Sequence, residues 1–425
     1  MTQDIGQQMY DWACQLFPIP RSLTGDGVRA TLGYLKELIP ELQIQEAPTG
    51  TSAFDWEVPQ EWNVNEAYVV TPEGERIANF DDNPLHLVGY STPVDRMLSL
   101  DDLQEHLHSI PEQPEAIPYV TSYYVRRWGF CISEQQRRQL KPGTYRAVIR
   151  SRLEPGHMSY ADAVLPGESG DEVLFSTYIC HPTMANNELS GPVVACALAR
   201  WLASKSNRRH TYRFVFTPET IGAIYYISRH LEELRQKTIA AFQLTCCGDR
   251  RTYSFMASRR GDTLADRVAR HVLDCHTPDY DAYSYLDRGS DERQYCSPGV
   301  DLPMVSMMRS KYRRYPEYHT SLDDLDFISP QGLAESLDLH KRCVRILESN
   351  CRPKACFRCE PQLGRRGLYP TLSTRGSGQT VRVIKNLLAY ADGHRDLIEI
   401  AETIGVPCDE LIETYRLLVD KGVVS

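Results

Sequence analysis

No stretch of this chain reaches the roughly 18 to 20 consecutive apolar residues of a membrane-spanning helix, so no membrane partner is expected. The opening Met-Thr-Gln-Asp-Ile-Gly-Gln-Gln-Met lacks both the basic and the apolar region of a secretory leader, and a cytoplasmic location is the expectation. An excess of positive charge is missing too. Lys and Arg number 47 against 56 Asp and Glu, net −9, which counts against nonspecific nucleic-acid binding by the whole chain. In a cytoplasmic setting the 13 cysteines read as reduced thiols rather than a disulfide framework. Cys351, Cys356 and Cys359 do have the C-x4-C-x2-C spacing of an iron–sulfur loop, with Cys343 as a candidate fourth thiolate. The small residues such a loop needs are absent, because Arg352, Pro353, Lys354, Phe357 and Arg358 fill the gaps. Incidental cysteines are the favoured reading.

What is present is an ordinary globular composition, 42% hydrophobic and 24% charged, in 425 residues that suffice for two or three domains. Residues 1 to 40 read as an amphipathic helix carrying Met9, Ala13, Leu16 and Phe17, a turn, and a second helix from Val28 to Leu38 capped by Thr24 or Asp26. Between 48 and 115, short alternating runs (67–71, 76–80 and 85–90) are separated by Pro, Gly and Asn-Pro signals and read as a small inserted β-rich domain. From about 118 to 345, strands (145–149, 173–179, 212–217, 240–245, 304–307) alternate with helices (193–203, 221–235, 263–274, 330–347). That alternation implies an α/β domain, residues 1–47 and 116–363, built on a mostly parallel mixed sheet flanked by helices. Ligand sites in such a sheet gather at the carboxyl ends of its strands. A Gly-, Arg- and Ser-rich linker, Gly364 to Gly378, leads to helices at 381–391, 397–404 and 408–421, and 364–425 reads as linker plus winged helix-turn-helix. The recognition helix would begin Asp409-Glu, where a DNA reader presents Arg, Lys, Asn or Gln, so protein or substrate contact is favoured over DNA.

Four strand ends carry the chemistry. His181 follows an apolar strand and precedes Asn-Asn187-Glu-Leu-Ser-Gly, a loop leading into a small-residue helix. Glu219 follows the strand Arg213-Phe-Val-Phe-Thr; it either caps the next helix or takes a proton from an activated water. Asp249 stands after the strand ending at Thr245 as a ligand or a turn residue. His319 leads into a segment with Asp323 and Asp326, either of which would orient its imidazole. Zinc takes His nitrogen and carboxylate oxygen and keeps one position open when catalytic, which two His and an Asp from separate strand ends would satisfy.

These residues in this order resemble the zinc aminopeptidase superfamily that includes leucyl aminopeptidases and glutamate carboxypeptidases. The likeness is closer to a branch of aminopeptidase-like proteins often encoded near polysaccharide or natural-product biosynthesis genes. It runs through Ile19-Pro-Arg-Ser-Leu-Thr-Gly-Asp-Gly, Asn83-Pro-Leu-His-Leu-Val-Gly-Tyr-Ser, Ser258-Arg-Arg-Gly-Asp-Thr-Leu-Ala-Asp, Gly289-Ser-Asp-Glu-Arg-Gln-Tyr-Cys and the His319 segment. That branch joins the peptidase fold to an inserted β domain and a C-terminal winged helix. The resemblance implies that Asn187 stands where the superfamily has a bridging aspartate, Glu219 where it has the general base, and Thr220 where it has a second carboxylate ligand. A neutral amide cannot balance two closely spaced zinc ions. One zinc per chain is therefore expected, on His181, His319 and Asp249, with Asn187 as a weak ligand or a hydrogen-bond donor. Arg259, Arg260, Asp291, Glu292 and Tyr318 are the expected pocket walls, the carboxylates for a substrate amine and an arginine for a carboxylate; a purely structural Arg–carboxylate network is the alternative. The implied activity is zinc-dependent amide hydrolysis of a peptide or aminoacyl conjugate. Deacylation of an amino-sugar or natural-product intermediate is the enzyme alternative, and a catalytically weak scaffold the non-enzyme one. Beyond a small-molecule or peptide substrate, the expected partners are a second copy or another protein, met through the winged helix.

Overall fold

The computed structural model describes residues 2–368 and 377–425. Most of the expected linker, residues 369–376, lies outside the described residues. Two compact units emerge, one of residues 1–261 and 281–337, the other of 262–280 and 338–425.

The first unit is built on an eight-stranded mixed sheet. Its strands are β1 (Gln43–Pro48), β6 (His157–Leu165), β7 (Glu172–Tyr178), β8 (Thr211–Thr217), β9 (Thr238–Gln243), β10 (Tyr253–Met256), β11 (Tyr280–Tyr283) and β12 (Met304–Met308), in the order β1-β6-β8-β7-β9-β12-β10-β11. The four central strands run parallel, while β1–β6, β6–β8 and β10–β12 pair antiparallel. Every residue of β7 is buried, as a strand covered on both faces requires. Phe175 stacks on Phe214 and Phe242 of the neighbouring strands, each 5.2 Å between centroids, and this aromatic ladder pins the parallel register. The covering helices include α1 (Thr2–Leu16), α2 (Asp26–Leu38), α3 (Ser190–Ala203) and α4 (Ile221–Lys237). Helix α2 starts after Gly25 with no side-chain cap, and Thr24 instead bonds the Tyr90 hydroxyl at 2.7 Å and accepts from Trp62 N. The Ser-Gly entry of α3 has a steric reason. A Cβ on Gly191 would sit 2.3 Å from the Leu244 carbonyl oxygen, so only glycine lets α3 lie this close to the chain end of β9.

A second, four-stranded antiparallel sheet contains β2 (Glu61–Val70), β3 (Arg76–Ile77), β4 (Val94–Ser99) and β5 (Thr144–Glu154), ordered β3-β2-β5-β4. Two expectations are corrected here. The run at 145–149 is not the first strand of the α/β alternation, since β5 pairs along its length with β2 and β4. The small β unit thus takes a central strand from beyond residue 115. The 85–90 run is not a strand either; Pro84–His86 forms a short 3-10 turn after Asn83. β6, not anticipated from sequence, bridges β1 to β8.

In the second unit, α5 (Leu264–His276) opens with a capping box between Thr263 and Asp266, and the later part of α6 (Pro330–Ser349) joins it. Helices α7 (Ser377–Tyr390), α8 (Leu397–Ile404) and α9 (Cys408–Asp420) complete the unit, α8 ending on left-handed Gly405. The last residues pair back onto Lys354 and Ala355. The acidic start of α9 is engaged within this unit: Asp409 accepts from Arg342 at 2.5 Å and bonds His276 at 3.2 Å, while Cys408 N donates to His271 at 2.9 Å. No helix among the described residues is long and apolar enough to cross a membrane.

Candidate active site

His181 sits three residues past the end of β7, and the loop it opens closes into a single π turn, Ala185–Leu189, before α3. π turns in such places are a frequent mark of functional sites. The turn's geometry puts Glu188 beneath the imidazole, with Oε2 2.7 Å from Nδ1. The other ring nitrogen, Nε2, lies 3.5 Å from Glu219 Oε2. Arg21, from the turn before α2, donates from Nε to the His181 carbonyl at 3.0 Å and lies 3.8 Å from Glu188, both side chains fully buried. His181 is thus held by its ring, its carbonyl and a buried ion pair. Its pKa falls to about 3, first through burial and then through the Arg21 charge. Burial works against the charge on Glu188, while the Arg21 guanidinium 3.8 Å away and the hydrogen bonds from His181 and Cys180 favour it.

His319 comes from the loop after β12, in the left-handed region at φ 57°. Its ring centroid is 5.2 Å from that of His181, and Tyr119 packs against both rings at 5.2 Å. Tyr119 also donates its backbone N–H to the His319 carbonyl at 3.0 Å, and its hydroxyl meets that of Tyr123 at 3.0 Å. Tyr318 stacks on His319 at 3.9 Å. Burial, then His181, then Arg313 press the His319 pKa well below the ordinary value. Both imidazoles are therefore neutral at physiological pH, the form that ligates metals. Thr183 (φ 43°), Thr220 (φ 67°) and Cys246 (φ 51°) are also left-handed, a costly conformation for threonine and one that clusters at functional sites.

Glu219 follows β8, its backbone N–H directed to Cys180 Sγ at 3.2 Å. Burial and the neighbouring Asp291 raise its pKa well above the carboxylate range, with Arg293 opposing. Asp291 accepts from Thr220 N at 2.8 Å, and burial lifts it to about 7. Glu292 accepts from Gly289 N, Ser290 N and, at 2.6 Å, the Tyr312 hydroxyl. The structure brings His181, Glu219, His319 and Tyr318 into contact, with Asp291 bonded to Thr220 beside Glu219 and Glu292 to the Gly289–Ser290 turn.

Three expectations change. Asp249 is not free to be a ligand, because both its oxygens are taken: Oδ1 by Ser310 Oγ at 2.8 Å and Arg251 N at 2.9 Å, Oδ2 by Ser310 N at 2.8 Å and Asn186 Nδ2 at 3.1 Å. It anchors two loops. Asp323 does not orient His319; it accepts from Asn186 N at 2.6 Å, Asn187 N at 2.9 Å and the Tyr315 hydroxyl at 3.1 Å, so it fastens the π turn. The His319 segment itself is turns and bends. Arg259 is spent on Asp301, at 2.7 Å, in a structural pair. Sequence reasoning also missed Glu188, Arg21, Tyr119 and Arg293. Glu188 stood inside the motif, and its carboxylate next to Asn187 was the available signal.

Asn187 donates from Nδ2 to Tyr178 Oη at 2.9 Å, and Tyr178 packs 5.3 Å from the His181 ring. Its Oδ1 is buried with no hydrogen-bond partner, an unmet acceptor that a cation would satisfy. Two neutral imidazoles, this orphan oxygen and Glu219 suit one divalent ion. Among the described residues, Cys180, His181 and Glu188 place potential ligand atoms within 4.8 Å of one another. That trio is the poorer cage: burial holds the Cys180 thiol protonated, and Glu188 is occupied by Nδ1. The thiols of Cys351, Cys356 and Cys359 do not form such a group among the described residues.

Comparison with known proteins places this geometry. A family model described as a domain of unknown function, DUF4910, matches residues 10–350, and a winged helix-turn-helix model matches 351–425. A protein of Clostridium acetobutylicum described as a "putative polysaccharide biosynthesis protein with aminopeptidase-like domain" is 38% identical over 95% of this chain and 93% of its own. The crystal structure of a "putative peptidase" from Clostridium acetobutylicum superposes with a TM-score of 0.94 at 35% identity, covering 100% of this chain and 97% of that one. A zinc aminopeptidase from Bacillus subtilis matches with a TM-score of 0.58 at 13% identity, over 80% of this chain and 94% of its own. That last likeness is one of fold.

Proposed function

The chain belongs to the DUF4910 family, an aminopeptidase-like domain followed by a winged helix-turn-helix, and from that premise we propose that it is a zinc-dependent amide hydrolase acting on a peptide or aminoacyl conjugate. The carrying observation is the half-buried Glu219 carboxylate 3.5 Å from His181 Nε2, with His319 beside that ring. His181, His319 and the Asn187 carbonyl oxygen would hold one zinc. Zinc in such a site polarises a carbonyl and lowers the pKa of water.

The protein's own groups do the rest. Glu188 fixes the proton on His181 Nδ1 and so leaves Nε2 as a donor atom. Glu219, its basicity raised by burial and by Asp291, takes a proton from water and passes it to the leaving amine. Tyr119 and Tyr123, both kept protonated by burial, remain hydrogen-bond donors at the rim of the histidine pair. Asp291 and Glu292 favour a substrate that brings a cationic amine. The name carried by the Clostridium acetobutylicum relative favours a second reading, removal of an acyl group from an amino-sugar intermediate. The winged helix is assigned to protein contact, since the acidic start of its recognition helix is bonded within its own unit.

A screen of the zinc-loaded protein against aminoacyl and N-acyl amides, with E219Q as control, tests the proposal. Hydrolysis lost in E219Q supports it. A purified protein that binds no zinc at neutral pH overturns it.

A further inference from the structure

The cleft between the turn before α2 and the small β unit takes no part in the proposed chemistry, yet it adjoins the same histidines. It holds about 650 Å³ of space, part of it open to solvent, within the range of about 300–1,000 Å³ common for small-molecule sites. One wall runs from Pro20 to Gly27, and β2 and the Pro84 turn supply the other. Three lining residues reach the site. Tyr119 packs 5.2 Å from the His181 and His319 rings, Pro182 follows His181, and Arg21 donates to the His181 carbonyl. Thr183 Oγ1 also donates to Asn83 Oδ1 at 3.2 Å, tying the His181 loop to the β unit.

The charges beside the cleft are already answered. Arg21 faces Glu188 at 3.8 Å and gives Nε and Nη1 to carbonyls, and Asp26 accepts from Arg29 at 2.6 Å. What stays open is a set of donors. The Ser22 hydroxyl has no hydrogen-bond partner among the described residues, although Ser22 is only 8% exposed. The Gly27 N–H, at the start of a helix with no side-chain cap, has none either, and Arg21 Nη2 is a third. A Cβ on Gly27 would sit 2.1 Å from the Pro20 carbonyl oxygen, so glycine is what lets the helix start close on this turn. Much of the remaining lining is flat and apolar: the rings of Trp62, Phe80 and Tyr119 and the prolines Pro20, Pro84 and Pro182. Trp62 is held in place, stacked 5.5 Å from Tyr90 and bonded through Nε1 to the Ser91 carbonyl at 3.0 Å.

These walls select a ligand that is uncharged, ring-shaped and rich in oxygen. An aliphatic chain would bury the donors unmet. A phosphate or carboxylate would lie beside Asp26, and the guanidinium there already faces Glu188. A pyranose meets both kinds of wall, its C–H face against the rings and its hydroxyl oxygens accepting from the donors. We propose that this cleft is a subsite for a neutral pyranose carried by the substrate next to the amide that is cleaved. The cleavage rests on the hydrolase reading; the binding of the ring does not.

The test reads binding apart from turnover. Full-length wild type, S22A and V64W are titrated with methyl pyranosides, glucose 6-phosphate and hexane-1,6-diol, followed by ligand-observed NMR. S22A removes a donor, and V64W fills the cleft from β2. At least one methyl pyranoside is expected to bind wild type, about 2–10-fold more weakly to S22A, the span of one neutral hydrogen bond, and not to V64W. The phosphate and the diol are expected to bind more weakly than that pyranoside. S22A keeps the test valid should V64W fail to fold. The inference is overturned if wild type binds no pyranoside, if affinity is unchanged in S22A or in folded V64W, or if glucose 6-phosphate binds more tightly than methyl glucoside. Pyranoside binding with no hydrolysis of any aminoacyl or N-acyl amide overturns the hydrolase reading and leaves the cleft assignment standing; hydrolysis with no pyranoside bound does the reverse.

Discussion

Replacing Glu188 by glutamine keeps the shape of the side chain under His181 and removes its charge. In the native protein Glu188 Oε2 lies 2.7 Å from His181 Nδ1, and Arg21 sits 3.8 Å from the same carboxyl, both charged side chains fully buried. A hydrogen bond to a charged partner is worth about 1.5–3 kcal/mol against about 0.5–1.5 for a neutral one, so the amide forfeits roughly 1–2 kcal/mol at the imidazole. Orienting partners of this kind typically shift metal affinity about 10–100-fold when removed, roughly 1.4–2.7 kcal/mol, which agrees. Arg21 loses its carboxylate as well. Breaking a buried pair costs about 3–5 kcal/mol, and the low end applies here because Nε and Nη1 keep carbonyl partners. E188Q should thus bind zinc about 10–100-fold more weakly in competition with a chelator, and should melt several degrees lower. An affinity within two-fold of wild type would refute the assignment of Glu188 as the group that orients His181.

Three further predictions follow from neighbouring contacts. N187D supplies a charged ligand in place of the unpartnered amide oxygen but loses the donor to Tyr178, so zinc should bind at least about ten-fold more tightly, still at one per chain, to a metal-free form destabilised by about 1–3 kcal/mol; two zinc ions per chain in this variant would contradict the account. Glu61 links α2 to β6 through Arg29 and His157 N, and its pKa is lowered to about 2 despite the cost of burial. A depressed carboxyl contributes stability above its unfolded pKa of about 4.3 and loses it as pH falls through about 2. The shift allows at most about 3 kcal/mol, discounted to roughly 1–2 because Arg29 is 32% exposed. The melting difference between wild type and E61Q should therefore shrink as pH falls from 5 to 2, and a constant difference would remove Glu61 from the acid response. Finally, fluorescence anisotropy with a duplex DNA should show no specific, salt-dependent binding by the second unit's α9, since Asp409 and Cys408 are engaged by Arg342, His276 and His271; nanomolar affinity at physiological salt would refute that.

The α/β domain was legible because its central strands are short apolar runs and two of them, β7 and β8, lead into helices of crossover length. The small sheet was misdivided for a physical reason. β5 alternates buried and exposed positions like any half-buried strand, and nothing in its sequence says that its partners are β2 and β4, tens of residues earlier. His181, Glu219 and His319 each follow a strand, and the structure brings them into contact. Asp249 was misread because a carboxylate after a strand looks alike whether it faces a cavity or anchors a loop; only the bonds to Ser310, Arg251 and Asn186 decide. Glu188 was hidden by periodicity. Read as an ordinary helix entry, residues 187 and 188 point elsewhere, and the π turn is what brings residue 188 under residue 181. Arg293 was out of reach too, since its bond to Thr220 spans 73 residues.

Zinc content and amide hydrolysis measured on the same preparations, wild type beside E219Q, test the central claim most directly. The account predicts about one zinc per chain in both, with hydrolysis of an aminoacyl or N-acyl amide falling about 10²–10⁴-fold in E219Q, the span of a lost general base. Equal turnover in the two proteins, or a wild type that holds no zinc, would contradict it.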